Sequence, residues 1–204
     1  ICCNISRYDG PNHTFSYEPS TAAKLCAQFG LVQAMALDVS NACAGMFSGV
    51  WLAEGLIKSG IARRALVVSG EYISYLAETA QRTIESDFDS RLPCLTLGDA
   101  GAAVLLEGSS RTDVGFIELD LCSLAQHSEL CIAKMTNDGP IMLTDMLGVS
   151  QVITQQGLSH WVRTAQRKNW SLADIKHMIP HQVSQTTITS GFNGFMGHWK
   201  PRFL

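Results

Sequence analysis

The sequence predicts an α/β fold, on three observations. A short apolar run at residues 34–39 leads through small residues into a stretch with helical spacing. A second apolar run follows from Ala65 to Ser69, giving the order strand, helix, strand. A third, Ala100 to Leu106, is entered through Leu97-Gly98-Asp99. Two strands joined by a crossover helix form a β-α-β unit with a parallel pair.

Each element has its own local reason. Residues 1–19 hold Gly10-Pro11, Asn12 and Pro19 and read as loop. Ser20-Thr21 is expected to cap a helix through Ala22, Ala23, Leu25 and Cys26, which Gly30 stops. Ala-Met-Ala-Leu-Asp-Val at 34–39 is a buried strand. The helix from about Gly45 to Lys58 repeats Met46, Val50, Ala53 and Ile57 at its own spacing, and Gly60 ends it. Residues 71–92, with Glu85, Asp87 and Asp89, suit a surface excursion. Val114 to Leu121 alternates as a strand with one wetter face does, whereas residues 122–143 show no assignable pattern. Thr144 to about Arg167 is helical in tendency, weakened by Gly148 and Gly157. Ser171 and Asp174 form a capping-box-like pair. His177-Met178-Ile179 reads as a short strand closed by Pro180, and another helix begins near Gln182. The end of the chain, with Gly191, Gly194 and Gly197 among Phe192, Phe195 and Trp199, has no period.

Composition bounds the function. A chain of 204 residues fits one large domain or two small ones. It is 46% hydrophobic and 16% charged, which suits a packed core and not a disordered segment. Net charge is −3 and there is no Lys/Arg run, so a nucleic-acid partner is not expected. No apolar run reaches a membrane span, and the start lacks the order of a secretory signal. The first residue is Ile1 and not Met, as in a piece of a longer chain or a processed one. The seven cysteines are odd in number and scattered, and Cys26, Cys43, Cys94 and Cys131 sit among apolar or small residues. That pattern points to a reducing compartment, the cytoplasm, rather than a disulfide framework. His177 and His181 are four apart, but Pro180 between them opposes a helix, and no metal is expected.

Cys43 is the candidate nucleophile. It stands where a buried strand turns into a helix, flanked by Ala42, Ala44 and Gly45. Small neighbours let the backbone approach a substrate. A helix N-terminus favours the thiolate, and its free N–H groups can hold an oxyanion. The same small residues also serve tight packing, so Cys43 alone reads either way. Gly98-Asp99 alone is equally a turn, and His181 alone a hydrogen-bonded structural histidine.

Together these pieces carry a resemblance. Asp38-Val39 followed by Ala42-Cys43-Ala44-Gly45 resembles the nucleophile turn of the β-ketoacyl-acyl carrier protein synthase III family. Lys58-Ser59-Gly60 and Ala65-Leu66-Val67-Val68 follow in matching order. Leu97 to Leu105 resembles that family's Gly-Asp loop and strand, and Ile179-Pro180-His181-Gln182 its histidine motif. The similarity runs from about residue 17 to about residue 188.

The resemblance implies a thiolase-like fold of layered α/β/α/β/α type, incomplete at both termini. Residues 1–110 would be the later part of its N-terminal half and 111–204 the earlier part of its C-terminal half. It implies that Cys43 takes an acyl group from a coenzyme A or carrier-protein thioester. A malonyl thioester then loses carbon dioxide and condenses with it, and His181 stabilises the enolate oxygen. No permanently bound cofactor is implied. A homodimer is, with the loop near Tyr17-Glu18-Pro19 approaching the partner's site.

The chain also departs from the family. The family's catalytic Asn lies in a Gly-Asn-Thr motif well beyond the histidine; only 23 residues follow His181, and Asn193 among them has the wrong context. Ser184 stands where the family usually has Asn, with no basic residue near. Three alternatives stand beside condensation: an inactive truncated product, a same-fold acyltransferase without condensation, and a cysteine hydrolase.

Overall fold

The computed structural model describes residues 1–9, 14–111, 113–185, 188–191 and 193–194. The expected loop at Gly10-Pro11-Asn12, the Thr186-Thr187 pair and the tail from 195 to 204 lie outside the described residues. The chain forms two units, Ile1–Ser74 with Gly98–Leu121, and Tyr75–Leu97 with Cys122–Leu204.

In the first unit the expectation of loop over residues 1–19 fails at its start. Cys2 bridges Asp38 on one side and Val68 on the other, both in parallel. Its N–H donates to the Leu37 carbonyl at 2.8 Å, and its carbonyl accepts from Val39 N at 2.9 Å. Cys3 N donates to Val68 O at 2.8 Å, and Val68 N to Ile1 O at 2.9 Å. Ile-Cys-Cys is too short to display a period, yet Cys2 and Cys3 are buried. A small hairpin of β1 (Tyr8–Asp9) and β2 (Thr14–Phe15) follows.

Helix α1 (Thr21–Gln28) begins at the expected cap, where Ser20 Oγ accepts from Ala23 N at 3.1 Å. Asp38 takes the next two amides, Thr21 N at 2.9 Å and Ala22 N at 2.8 Å. A carboxylate there also complements the positive end of the helix dipole. The strand expected at 34–39 narrows to the bridge at Asp38. Helix α2 (Gly45–Lys58) and β3 (Arg64–Glu71) complete the parallel crossover. Its two strands do not pair with each other, because Cys2 stands between them. β4 (Ala100–Glu107) then pairs antiparallel with β3, from Arg64↔Glu107 to Glu71↔Ala100.

One face of this sheet packs under α2. Cys3, Val50, Ala53 and Val67 are its buried core, joined by Met46, Ala65 and Leu106. Gly49 lets the helix sit close: a Cβ there would lie 2.5 Å from Cys3 Sγ and 2.8 Å from Val67 Cγ1. Strand alternation sends Leu66 and Leu105 to the other face, where they are 43% and 65% exposed. The strand expected at Val114–Leu121 does not form; Gly115 takes φ +86° and breaks the run.

Residues 71–92, which pass from the first unit into the second at Tyr75, are not a bare surface excursion. Helix α3 (Ser74–Thr83) buries Tyr75, Leu76, Thr79 and Ala80, a stripe hidden in the sequence among Glu78, Gln81 and Arg82. A 3-10 turn, Leu92–Thr96, buries Cys94. Residues 122–143, without assignment from sequence, contain β5 (Cys131–Thr136), paired with β6 (Gly139–Thr144) in an antiparallel hairpin. Gly139 has φ +120° and faces Thr79, whose Oγ1 would be 2.9 Å from a Cβ there.

The helical tendency of 144–167 resolves into α4 (Met146–Val152), a π-turn at Ile153–Gly157, and α5 (Leu158–Arg167). Asp145 caps α4 by accepting from Gly148 N at 2.9 Å. Ser171 N donates to Asp174 Oδ2 at 2.7 Å, which is one half of the expected capping pair; Ser171 Oγ donates to the same oxygen at 2.8 Å and leaves the Asp174 amide to the Ser171 carbonyl. His177-Met178-Ile179 is no strand: it has no ladder pairing among the described residues. The helix expected near Gln182 begins at 185, and residues 188–191 and 193–194 are helical.

Candidate active site

Cys43 sits in a single 3-10 turn, Ala42–Ala44, that runs straight into α2. Its side chain is exposed. The turn is made sharp by Ala42, whose φ is +41°. A non-glycine residue held there costs roughly 1–3 kcal/mol, so the surroundings must impose it.

The hydrogen bonds of the turn show what imposes it. Ala44 N donates to Asn41 O at 3.0 Å, and Gly45 N donates to Ala42 O. Asn41 Nδ2 donates to Ser48 Oγ at 2.8 Å, and Ser48 Oγ donates to Ala44 O at 3.0 Å. The amides at 44 and 45 are therefore engaged within the turn and not among the free N–H groups expected at the helix N-terminus. The Cys43 amide has no protein acceptor among the described residues. The Ala42 amide has none among them either, but it is the Cys43 amide that belongs to the residue bearing the thiol. Asn41 and Ser48 are functional candidates that the sequence does not single out. They are seven apart across a bend, and no periodicity marks such a pair.

The two aspartates of the resembling motifs, Asp38 and Asp99, have structural work to do. Asp38 holds the start of α1, as described above. Asp99 accepts from Ile73 N at 2.6 Å, Ser74 N at 2.8 Å and Ser74 Oγ at 2.9 Å. Those donors hold its carboxyl below the usual carboxylate range, the Ser74 amide contributing most. Glu71 ends β3 opposite Ala100 at the start of β4. Asp99 thus ties together the point where the chain leaves β3 and the point where it returns.

His181 is exposed, just after Pro180 in a segment without regular secondary structure in the second unit, whereas Cys43 belongs to the first. The other cysteines are also free thiols; burial pushes those of Cys2, Cys3 and Cys94 up, Cys2 to about 11. A cavity of about 660 Å³ lies in the first unit between α1 and the sheet. Cys2, Leu25, Phe29, Leu37, Leu66 and Val68 are among its lining residues; Cys43 is not. Among the described residues no group of three or more His, Cys, Asp or Glu is placed to hold a metal. Among them, too, no helix is long and apolar enough to cross a membrane.

Comparison with known proteins bears on this geometry. The family of 3-oxoacyl-[acyl-carrier-protein] synthase III matches residues 37–124, which include the Cys43 turn, α2, β3 and β4. The β-ketoacyl-[acyl-carrier-protein] synthase III of Rhodospirillum centenum is 32% identical over 191 residues, covering 88% of this chain and 54% of its own. A synthase III of Staphylococcus epidermidis is 30% identical over 185 residues, covering 84% of this chain and 52% of its own. The chain thus spans about half the length of the curated relatives it matches. Among solved structures, a variant of OleA from Xanthomonas campestris superposes with a TM-score of 0.74 at 24% identity, over 98% of this chain and 57% of that one. The 3-oxoacyl-(acyl carrier protein) synthase III of Xanthomonas oryzae pv. oryzae does so at 0.72 and 23%, over 98% and 57%. These superpositions establish the fold as a partial α/β fold of the thiolase-like class.

Proposed function

Because the chain belongs to the β-ketoacyl-acyl carrier protein synthase III family, we propose that Cys43 is an acyl acceptor and that the reaction is a decarboxylative condensation. The observation that carries this reading is an exposed thiol at the head of α2 with its own amide unengaged beside it. The sulfur attacks the carbonyl of an acyl-coenzyme A or acyl carrier protein thioester. Its proton passes to the departing thiolate, and the Cys43 amide donates to the carbonyl oxygen as charge develops there. A malonyl thioester then loses carbon dioxide. The electron pair of the broken bond goes to the α-carbon, and His181 donates to the enolate oxygen. That carbon attacks the acyl group on Cys43, the carbon–sulfur bond breaks, and a 3-oxoacyl thioester leaves.

The proposal extends to the setting. Residues 1–110 and 111–204 are assigned to the two thiolase-like halves. The chain works in the cytoplasm, as a homodimer, on coenzyme A or carrier-protein thioesters, with no permanently bound cofactor. A second reading is favoured by Ser184 and the lack of a basic residue beside the histidine motif: acyl transfer without condensation. A non-catalytic product is the third.

One experiment orders these readings. The chain is incubated with acetyl-coenzyme A and malonyl-coenzyme A, and carbon dioxide and 3-oxoacyl product are measured. Condensation requires both to appear, to vanish in Cys43→Ala, and to fall in His181→Ala. Acylation of Cys43 without carbon dioxide release leaves simple transfer. Neither event in a folded sample leaves the non-catalytic reading.

A further inference from the structure

The Cys43 turn carries one hydrogen-bonded relay beyond its backbone bonds. Asn41 opens the turn, yet its side chain makes no capping bond to the helix. Its carboxamide reaches instead across the bend to Ser48, on the second turn of α2, at 2.8 Å. A serine hydroxyl has one proton to give and lone pairs to accept with. Here it accepts from Asn41 and donates to the Ala44 carbonyl at 3.0 Å, so the relay has a direction. Both Ala42 and Cys43 lie inside the loop it closes. Ala42 is the residue whose left-handed φ of +41° a side chain disfavours. A bond from the residue before the strained position to the helix after it restricts rotation at that position.

We propose that Asn41 is a positioning residue for Cys43, acting through Ser48 to hold the Cys43 thiol and amide toward the same carbonyl. This rests on the reading of Cys43 as the acyl acceptor. Acyl transfer needs both groups at once: sulfur at the carbonyl carbon and the amide at the oxygen. Alkylation by a small halide needs only the sulfur. Loss of the relay therefore weakens acyl transfer selectively, leaving the thiol reachable but its amide misaimed.

The test uses the 204-residue chain with Asn41→Ala, Ser48→Ala, the double variant and Ser48→Thr. Three rates are measured: loading of Cys43 from acetyl-coenzyme A, alkylation of Cys43 by iodoacetamide, and amide exchange at Ala44 and Gly45, with Ala53 in mid-helix as internal reference. Each alanine variant is expected to slow loading by about tenfold while changing alkylation by less than about twofold, since small misplacements of reacting groups are costly. Because the two side chains act as one unit, the double variant loads no more slowly than either single one. Ser48→Thr, which keeps the hydroxyl, retains most of the loading rate. Additive losses, equal losses in loading and alkylation, or unchanged loading overturn the proposal. If the unaltered chain takes up no acetyl group, the acyl-acceptor reading fails by itself, and exchange decides the relay. Faster exchange at Ala44 and Gly45 in every alanine variant, with Ala53 unchanged, supports it; unchanged exchange at both overturns it.

Discussion

At the scale of single residues, Asp99 shows how a motif that looks chemical can be mechanical. Its carboxylate meets two amides and a hydroxyl, all from Ile73 and Ser74. Those bonds favour the charged form and depress its pKa. In the unfolded chain an aspartate titrates near about 3.9. A depressed folded value means the unfolded state binds protons first as pH falls. The stability Asp99 contributes is therefore present above the unfolded value and is lost as pH drops through the folded one. Urea unfolding of the parent and of Asp99→Asn, followed from pH 7 down to 3, checks this. The parent is expected to lose more stability than the variant across the acid limb. Parallel loss in both proteins contradicts the assignment. Cys43 differs in kind: what its neighbours do is shape a turn, through small side chains and a strained Ala42.

At the scale of elements, the sequence was legible where a period or a cap was long enough to be seen. The helix from Gly45 to Lys58 emerges with the expected bounds, Ser20 caps where expected, and Ser171 pairs with Asp174. The element that organises the first unit was not legible. Ile1–Cys3 offers three residues, fewer than one cycle of any convincing pattern, and its strand character comes from flanking partners at Asp38 and Val68. The β5–β6 hairpin was not assigned from sequence either. Asn137-Asp138-Gly139 is turn chemistry of the kind that joins antiparallel strands, but Lys134 and Pro140 interrupt the apolar runs on either side. The approach of α2 to the sheet depends on a bare Cα at Gly49. Gly49→Ala gains helix propensity yet puts a methyl against Cys3 Sγ and Val67 Cγ1. The expected net is destabilisation by about 1–3 kcal/mol, the usual range for overpacking a core. An unchanged or raised midpoint in urea contradicts this account of the contact.

At the scale of the whole chain, seven free thiols report on the fold. Cys2, Cys3 and Cys94 are buried, whereas Cys43, Cys122 and Cys131 are exposed. Native-state alkylation mapped by mass spectrometry is expected to label the exposed three first and the buried three only on unfolding. Labelling of Cys2 or Cys3 as fast as Cys131 contradicts the placement of residues 1–3 inside the sheet. The proposed assignment of Cys43 and His181 to one reaction belongs to this scale too. No spacing or period in the chain links residues so far apart, and only the resemblance of four separate motifs to one family did so.

The most direct test of the central proposal is acyl uptake by Cys43. The chain is mixed with acetyl-coenzyme A, and its intact mass is read before and after treatment with hydroxylamine, which cleaves thioesters. The expected result is one acetyl adduct per chain, mapped to the Cys43 peptide, removed by hydroxylamine and absent in Cys43→Ala. A folded chain that gains no adduct, or one that keeps its adduct in Cys43→Ala, contradicts the role given to Cys43.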